Sequence, residues 1–407
     1  MKNNFSNKDV GQRPLCLELF SGAGGLALAA KKANFTPLAL FEKDPHACET
    51  LRLNEKALGS AGTSRVFQED LKKISPRVLE DLNIDAIIGG PPCQPFSRGG
   101  AGNGPLDDRD LFPNFRHFVH HLRPKAFVIE NVAGLTSPRF YDYFKRILGS
   151  LAFGSNRYPT PVSLHDGEPV FSGSSRPDYR IYFKVLNAAD FGVPQMRLRL
   201  FMVGVRNDCQ FSWKWPSVTH SKEALMRAKF VSGEYFAQHE LKSSRYVGSL
   251  KDLHVKLSEN AASFLKPHVT VRDALADLGK PVRDSNDPFQ HYLVPGARAY
   301  PGHTGSLWDE PAKTIKAGVH GCPGGENMVR LDRGRVRYFT VRELARLQSF
   351  PDNYRFHGTR NQCVRQIGNA VPVLLGSTIL AELAPHFTIH ASRSITAARA
   401  SSVYLCR

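Results

Sequence analysis

The stretch "LCLELFSGAGGLALAAKKA", Leu15 to Ala33, decides the fold. Its first part, Leu15 to Phe20, is a short apolar run that stops at glycines. The part from Leu26 onward is apolar at helical spacing. A buried run that turns through Gly22, Gly24 and Gly25 straight into a helix is the opening of a parallel β-α unit. The theme repeats. "TPLALFE" (Thr36 to Glu42) leads into the helical "DPHACETLRLNEKA", a third strand precedes "FQEDL", and "IDAIIGG" (Ile84 to Gly90) and "KAFVIEN" (Lys125 to Asn131) are two more runs. Strands alternating with helices imply right-handed crossovers and an α/β, doubly wound, mixed but mostly parallel sheet.

The sequence predicts that residues 1–208 form this domain. Gly149 to Pro177, rich in Gly, Ser and Pro, reads as a surface excursion, and "RLFMVGVR" (Arg199 to Arg206) returns to a strand. From Cys209 the alternation is lost, so 209–350 reads as a smaller, irregular, β-rich domain in which Trp213 and Trp215 serve the core. Residues 351–388 return to the first domain, "QIGNAVPVLLGSTILAEL" reading as a loop followed by an apolar helix. Residues 389–407 read as a frayed tail.

Composition narrows the partners. The 407 residues carry 54 Lys and Arg against 37 Asp and Glu, a net charge of +17 that favours a polyanion such as nucleic acid. No uninterrupted apolar run of membrane-spanning length appears, and "MKNNFSNKDVGQRPL" lacks a signal peptide's apolar stretch. The seven cysteines stand singly, without a CxxC pair, so neither a metal site nor a disulfide framework is expected. These features point to a reducing, cytoplasmic setting.

Ligands of an open parallel sheet bind beyond the carboxyl ends of its strands. The glycine turn brings backbone N–H groups close to a ligand. Glu42 can accept from both hydroxyls of a ribose, and Asp70 can meet an adenine amine. Together they describe an adenosine-containing cofactor. Gly22, Gly24 and Ala27 also fit G-x-G-x-x-A, so a nicotinamide oxidoreductase is a rival. Each glycine alone could be a plain turn, and Cys93 alone an inert turn cysteine. The next two strand ends separate the readings. "GGPPCQPFS" delivers Cys93 through two prolines, and "KAFVIEN" delivers Glu130. A thiol and an acid beside a nucleoside suit covalent activation of a substrate rather than hydride transfer.

Six motifs in order, "LELFSGAGGL", "GGPPCQPFS", "ENV", "QMRLR", "RELARLQSFP" and "QIGNAVP", resemble the DNA cytosine-5 methyltransferases of bacterial restriction-modification systems. The resemblance runs from about Leu15 to Glu382. It implies a Rossmann-like methyltransferase fold with S-adenosyl-L-methionine as donor, a target-recognition domain, and a flipped-out cytosine in duplex DNA as substrate. On matching positions it implies Cys93 as nucleophile, with Glu130, Arg197 and Arg199 around the base. Phe20 would stack on the adenine. Ser21, Gly22, Gly24, Gly25, Leu26, Glu42, Asp70, Pro92, Leu111, Asn369 and Ala370 would line the cofactor site. The family often has Asp where this chain has Glu18.

After Cys93 the glycine-rich "QPFSRGGAGNGPLDDRD" suits a closing loop, in which Gln94, Ser97 and Arg98 could touch DNA. The segment "RLDRGRVRYFTVR" reads as a hairpin turning at Asp332, Arg333 and Gly334. Its Arg330, Arg335 and Arg337 could lie along phosphates, or it could be a solvated charged hairpin. The tRNA-type relatives carry a Cys-Phe-Thr motif that this sequence lacks. A binding protein on a dead enzyme would have lost Cys93 or Glu130. The expectation is a monomeric, nucleoid-associated enzyme without a metal or a further N-terminal regulatory domain. A cognate restriction endonuclease would act on the same site.

Overall fold

The computed structural model describes residues 13–59, 65–92, 110–155, 158–173, 176–242, 264–284, 286–301, 303–318, 327–331 and 334–387. Cys93, Gln94, Ser97 and Arg98, and the turn residues Asp332 and Arg333, lie outside them. Two compact units are present. One is built from Met1–Leu186, Leu198–Trp215 and Tyr354–Arg407, the other from Asn187–Arg197 and Pro216–Asn353.

The first unit carries the sheet. In chain order its strands are β1 (Leu15–Leu19), β2 (Thr36–Glu42), β3 (Arg65–Gln68), β4 (Ala86–Gly89) and β5 (Ala126–Val132). After the small hairpin of β6 (Ser163–His165) and β7 (Glu168–Val170) come β8 (Tyr179–Asn187) and β9 (Leu198–Arg206). The seven-stranded order is β3-β2-β1-β4-β5-β9-β8, with β6 and β7 paired apart from it. The strands from β3 to β5 run parallel and β9 joins antiparallel, as the mixed sheet was expected to do. The order changes direction between β1 and β4, which opens a crevice at their carboxyl ends.

Burial explains the strands. Leu17, Leu19, Ile87, Phe127 and Ile129 are buried in one core with Phe112, Phe115, Phe118 and Phe144. Helix α1 (Gly25–Lys32) starts on the glycine turn, and α2 (Pro45–Leu53) is capped by Asp44, whose side chain accepts from the N–H groups of His46 and Ala47. The excursion at 149–177 is more ordered than its composition suggests. Helix Tyr141–Ala152 runs through Gly149, and the β6–β7 hairpin follows it.

The return segment differs from the expected loop and single helix. Thr359 and Gln362 form a capping box that starts a helix at Arg360, and this helix takes in Gln366 to Asn369. Pro372 disfavours helical backbone at Val371, so the helix stops and a second runs from Val373 to Leu383. The span Arg360–His386 is apolar enough to cross a membrane by composition. It is nevertheless two helices, and the second packs against α1, with Gly376 close to Ala29.

The second unit is irregular. Among its described residues the strands are pairs of two and three residues, including the antiparallel hairpin Met328–Arg330 with Val336–Tyr338. β structure here takes the form of short paired segments, not one extended sheet. Its helices Val271–Leu275 and Val341–Leu347 each begin with a capping box, Thr270 with Asp273 and Thr340 with Glu343. Trp213 and Trp215 pack edge-on, 5.4 Å apart, and belong to the first unit.

Candidate active site

Register aligns the strand ends. Phe41 pairs with Leu19, Leu19 with Gly89, Gly89 with Ile129 and Ile129 with Met202. One residue further along each parallel strand stand Glu42, Phe20, Gly90 and Glu130. The row spans three interstrand gaps of about 4.8 Å, so Glu42 and Glu130 stand roughly 14 Å apart across the crevice. Side chains in this row leave the sheet at the edge where parallel-sheet ligands bind.

At one end of the row is the glycine turn. Phe20, Gly22 and Gly24 all have positive φ, at 60°, 52° and 79°. A Cβ on Gly24 would stand 2.7 Å from Leu51, and one on Gly25 would stand 2.4 Å from the Val371 carbonyl. The turn therefore packs directly on α2 and on the return segment. Around Gly22, by contrast, none of the described residues lies within 4 Å of an added Cβ. Ser21 is buried, its N–H donating to the Phe41 carbonyl and its hydroxyl to the Glu18 carbonyl. Leu26 is buried beside it.

Glu42 is fixed by backbone donors. Gly22 N–H donates to Oε2, and Lys43 and Asp44 N–H donate to Oε1, each at 2.8 Å. Asp70 is half-buried after β3, and its Oδ1 accepts from Lys72 N–H at 3.0 Å. Leu111 is buried at the start of helix Phe112–Leu122. Beneath the turn, Glu18 is 1% exposed and takes a hydrogen bond from the Ala27 N–H. Its Oε2 has no partner among the described residues. Burial first, and then the Glu42 charge, push the Glu18 carboxyl well above the usual range.

The return segment closes this side of the unit. Tyr354 Oη donates to the Ala23 carbonyl at 2.6 Å. Asn54 is bonded to both the N–H and the carbonyl of Arg355, and Thr50 to Gln366 and the His357 N–H. Ala370 is buried against Gly25, while Asn369 is exposed at the helix end. The sequence reading had missed Tyr354. No motif marks a lone tyrosine, and its use depends on a contact with Ala23 far away in sequence.

At the other end of the row stands Glu130, which is 7% exposed. Glu130 pairs with Phe201 and Val132 with Arg199, so Glu130 and Arg199 are diagonal neighbours on one face. Arg199 Nε lies 2.8 Å from Glu130 Oε1. The contact is a close ion pair without an aligned hydrogen bond, because among the described residues Oε1 has no directed donor. A Cβ on Gly90 would stand 3.3 Å from Glu130 Oε2. The acid therefore rests against the point where the chain turns into Pro91, Pro92 and Cys93. Pro92 is half-buried.

Arg197 belongs to the second unit. It is 1% exposed, and its Nη1 donates to the Ile315 carbonyl at 3.0 Å. Within that unit Arg330 and Arg335 are exposed on the hairpin. Arg337 is half-buried and bidentate on Glu343, at 2.7 and 2.6 Å. Among the described residues no cluster of three metal-ligating side chains occurs.

Open space at Gly22, the Glu42 carboxylate and the Glu18 oxygen without a partner among the described residues form a polar edge suited to a nucleoside-bearing methyl donor. A family model for C-5 cytosine-specific DNA methylases matches residues 15–158 and 174–384, leaving out the β6–β7 hairpin. The chain is 31% identical over 373 residues to the Type II methyltransferase M.Eco47II of Escherichia coli, covering 89% of this chain and 77% of that protein. It is 30% identical over 378 residues to the Type II methyltransferase M.AplI of Arthrospira platensis, covering 92% and 86%. The crystal structure of a Spodoptera frugiperda DNMT2 mutant has the same fold, with a TM-score of 0.57 at 18% identity over 91% of this chain and 99% of that one. The chain belongs to the C-5 cytosine-specific DNA methylase family.

Proposed function

We propose that this chain transfers a methyl group from S-adenosylmethionine to C5 of a cytosine in duplex DNA, with Cys93 as the nucleophile. The observation that carries the reading is the row of strand ends. Glu42 and Phe20 stand on one side, Glu130 paired to Arg199 on the other, and Gly90 between them leads the chain into Cys93.

On this reading Phe20, Ser21, Gly22, Gly24, Gly25, Leu26, Glu42, Asp70, Pro92, Leu111, Asn369 and Ala370 hold the cofactor. When bound, S-adenosylmethionine supplies an electrophilic methyl group. Cytosine C5 is a weak nucleophile until the ring is activated. The Cys93 sulfur adds to C6 and breaks the aromaticity, which puts electron density on C5. Glu130 holds N3 and the exocyclic amine and gives a proton as charge develops on the ring. Arg199 orients Glu130 and holds the O2 side of the base. After methylation, loss of the C5 proton expels Cys93 and restores the ring.

C6 is inaccessible inside a stacked duplex, so the base is extruded before attack. Gln94, Ser97 and Arg98, with the exposed Arg330 and Arg335, are the proposed DNA contacts, while Arg337 is taken up by Glu343. The +17 charge makes binding salt-dependent. The enzyme acts in the bacterial cytoplasm, paired with a restriction endonuclease of the same recognition sequence.

The test is transfer of labelled methyl groups from S-adenosylmethionine to duplex DNA, with bisulfite sequencing to report base and context. Duplex carrying 5-fluorocytosine at the target should trap the protein covalently, since fluorine cannot leave as a proton does. Methylation of tRNA but not DNA sinks the reading.

A further inference from the structure

The ladder between β4 and β5 ends at the pair Gly89–Ile129. The next residues on the β4 side are Gly90, Pro91 and Pro92. Neither proline has a backbone N–H, so the strand cannot extend its pairing there. The same loss removes every backbone donor that could fix the turn between Gly90 and Cys93. Only carbonyls remain as handles.

One of those carbonyls is held. Asn131 Nδ2 donates to the Pro91 carbonyl at 3.1 Å, and Asn131 is 3% exposed. The other side of the same amide is fixed too, because Val132 N–H donates to Asn131 Oδ1 at 2.8 Å. The amide therefore cannot flip without losing both bonds. Asn131 also follows Glu130 directly on β5. Two consecutive residues of one strand thus face the turn, the acid against Gly90 and the amide on Pro91.

We infer that Asn131 is a positioning residue for the Pro91–Pro92 turn. Its side-chain amide ties the turn to β5 through a carbonyl, the one backbone handle the prolines keep, and so sets the approach of Cys93 relative to Glu130. The inference rests on the nucleophile assignment proposed above. A small error in reach is costly for a covalent step, because rate depends steeply on alignment.

The variant Asn131→Asp keeps the size of the side chain and replaces the donor by an acceptor facing a carbonyl. Adduct formation with 5-fluorocytosine duplex should slow by about 10- to 100-fold. DNA affinity should stay within about threefold, and any change in S-adenosylmethionine affinity, which the turn can reach only through Pro92, should be smaller than the loss in adduct rate. A wild-type adduct rate in Asn131→Asp overturns the inference, as does a defect confined to cofactor affinity. If that variant does not fold, Asn131→Ser is read in its place, its hydroxyl being too short to reach Pro91. If the wild-type protein forms no adduct, the nucleophile reading fails instead. Asn131 is then judged on iodoacetamide alkylation of Cys93, followed by peptide mass spectrometry. A rate shifted by about threefold or more supports positioning, and equal rates refute it.

Discussion

The carboxyl edge of the sheet and the second unit hold their acids differently. At the sheet edge, Glu18 Oε2 is buried without a donor among the described residues, and Glu130 Oε1 meets Arg199 Nε without an aligned hydrogen bond. In the second unit four acids are held in arginine pairs. Arg337 is bidentate on Glu343, Arg272 meets Asp309, and Arg346 is shared between Asp277 and Asp352. Buried polar groups normally find partners, so the Glu18 oxygen left over at the sheet edge is open to a ligand, whereas Glu130 already faces Arg199. The same comparison cautions against counting arginines as DNA contacts. Arg337 has the sequence context of a phosphate reader and the geometry of a brace.

Glu130→Gln probes the sheet edge most strongly. It keeps shape and removes the acid, so the methyl-transfer rate should fall by about 10²- to 10⁴-fold while the protein stays folded. Single-turnover kinetics measure this, and a loss under tenfold would remove Glu130 from the chemistry. In the second unit, Arg337→Ala should instead lower stability. It leaves Glu343, 2% exposed, without its bidentate partner, and breaking a buried pair costs about 3–5 kcal/mol. Urea unfolding should register the loss. Weaker DNA binding at unchanged stability would return Arg337 to the DNA surface and blur the contrast.

The smallest effect concerns Glu18. Its folded-state pKa is raised by burial and by Glu42. A raised carboxyl stabilises the fold fully below its unfolded value of about 4.3, and that contribution is lost as pH rises through the folded value. Glu18→Gln cannot ionise. The cofactor-free variant should gain on wild type as pH rises through neutral. Stability curves that stay parallel between acid and neutral pH would show that Glu18 carries no such penalty.

Much of this was legible in the residues. Leu15 to Lys32 gave strand, turn and helix, because apolar runs and glycines act locally. The strand ends at Glu42, Gly90 and Glu130 followed from the same logic. Less legible were features that depend on distant partners. Tyr354 bonds Ala23, and Asn131 braces Pro91, neither of which leaves a trace in local pattern. The helix ending at Asn369 was hidden because the glycine and proline of "QIGNAVP" look like loop. Its start is fixed upstream by the Thr359–Gln362 capping box. In the second unit, short paired segments give no periodicity to read.

The return segment carries a consequence for how the enzyme is made. The glycine turn at Gly22 to Gly25 leaves the ribosome well before its packing partners, Tyr354, Ala370 and Val371, which lie far downstream in the chain. At about 5–20 residues per second, the turn waits roughly a quarter of a minute to a minute for them. A nascent or prematurely terminated chain thus holds the first half of its cofactor site without the second. Translation itself delays the onset of activity until synthesis has passed the return segment.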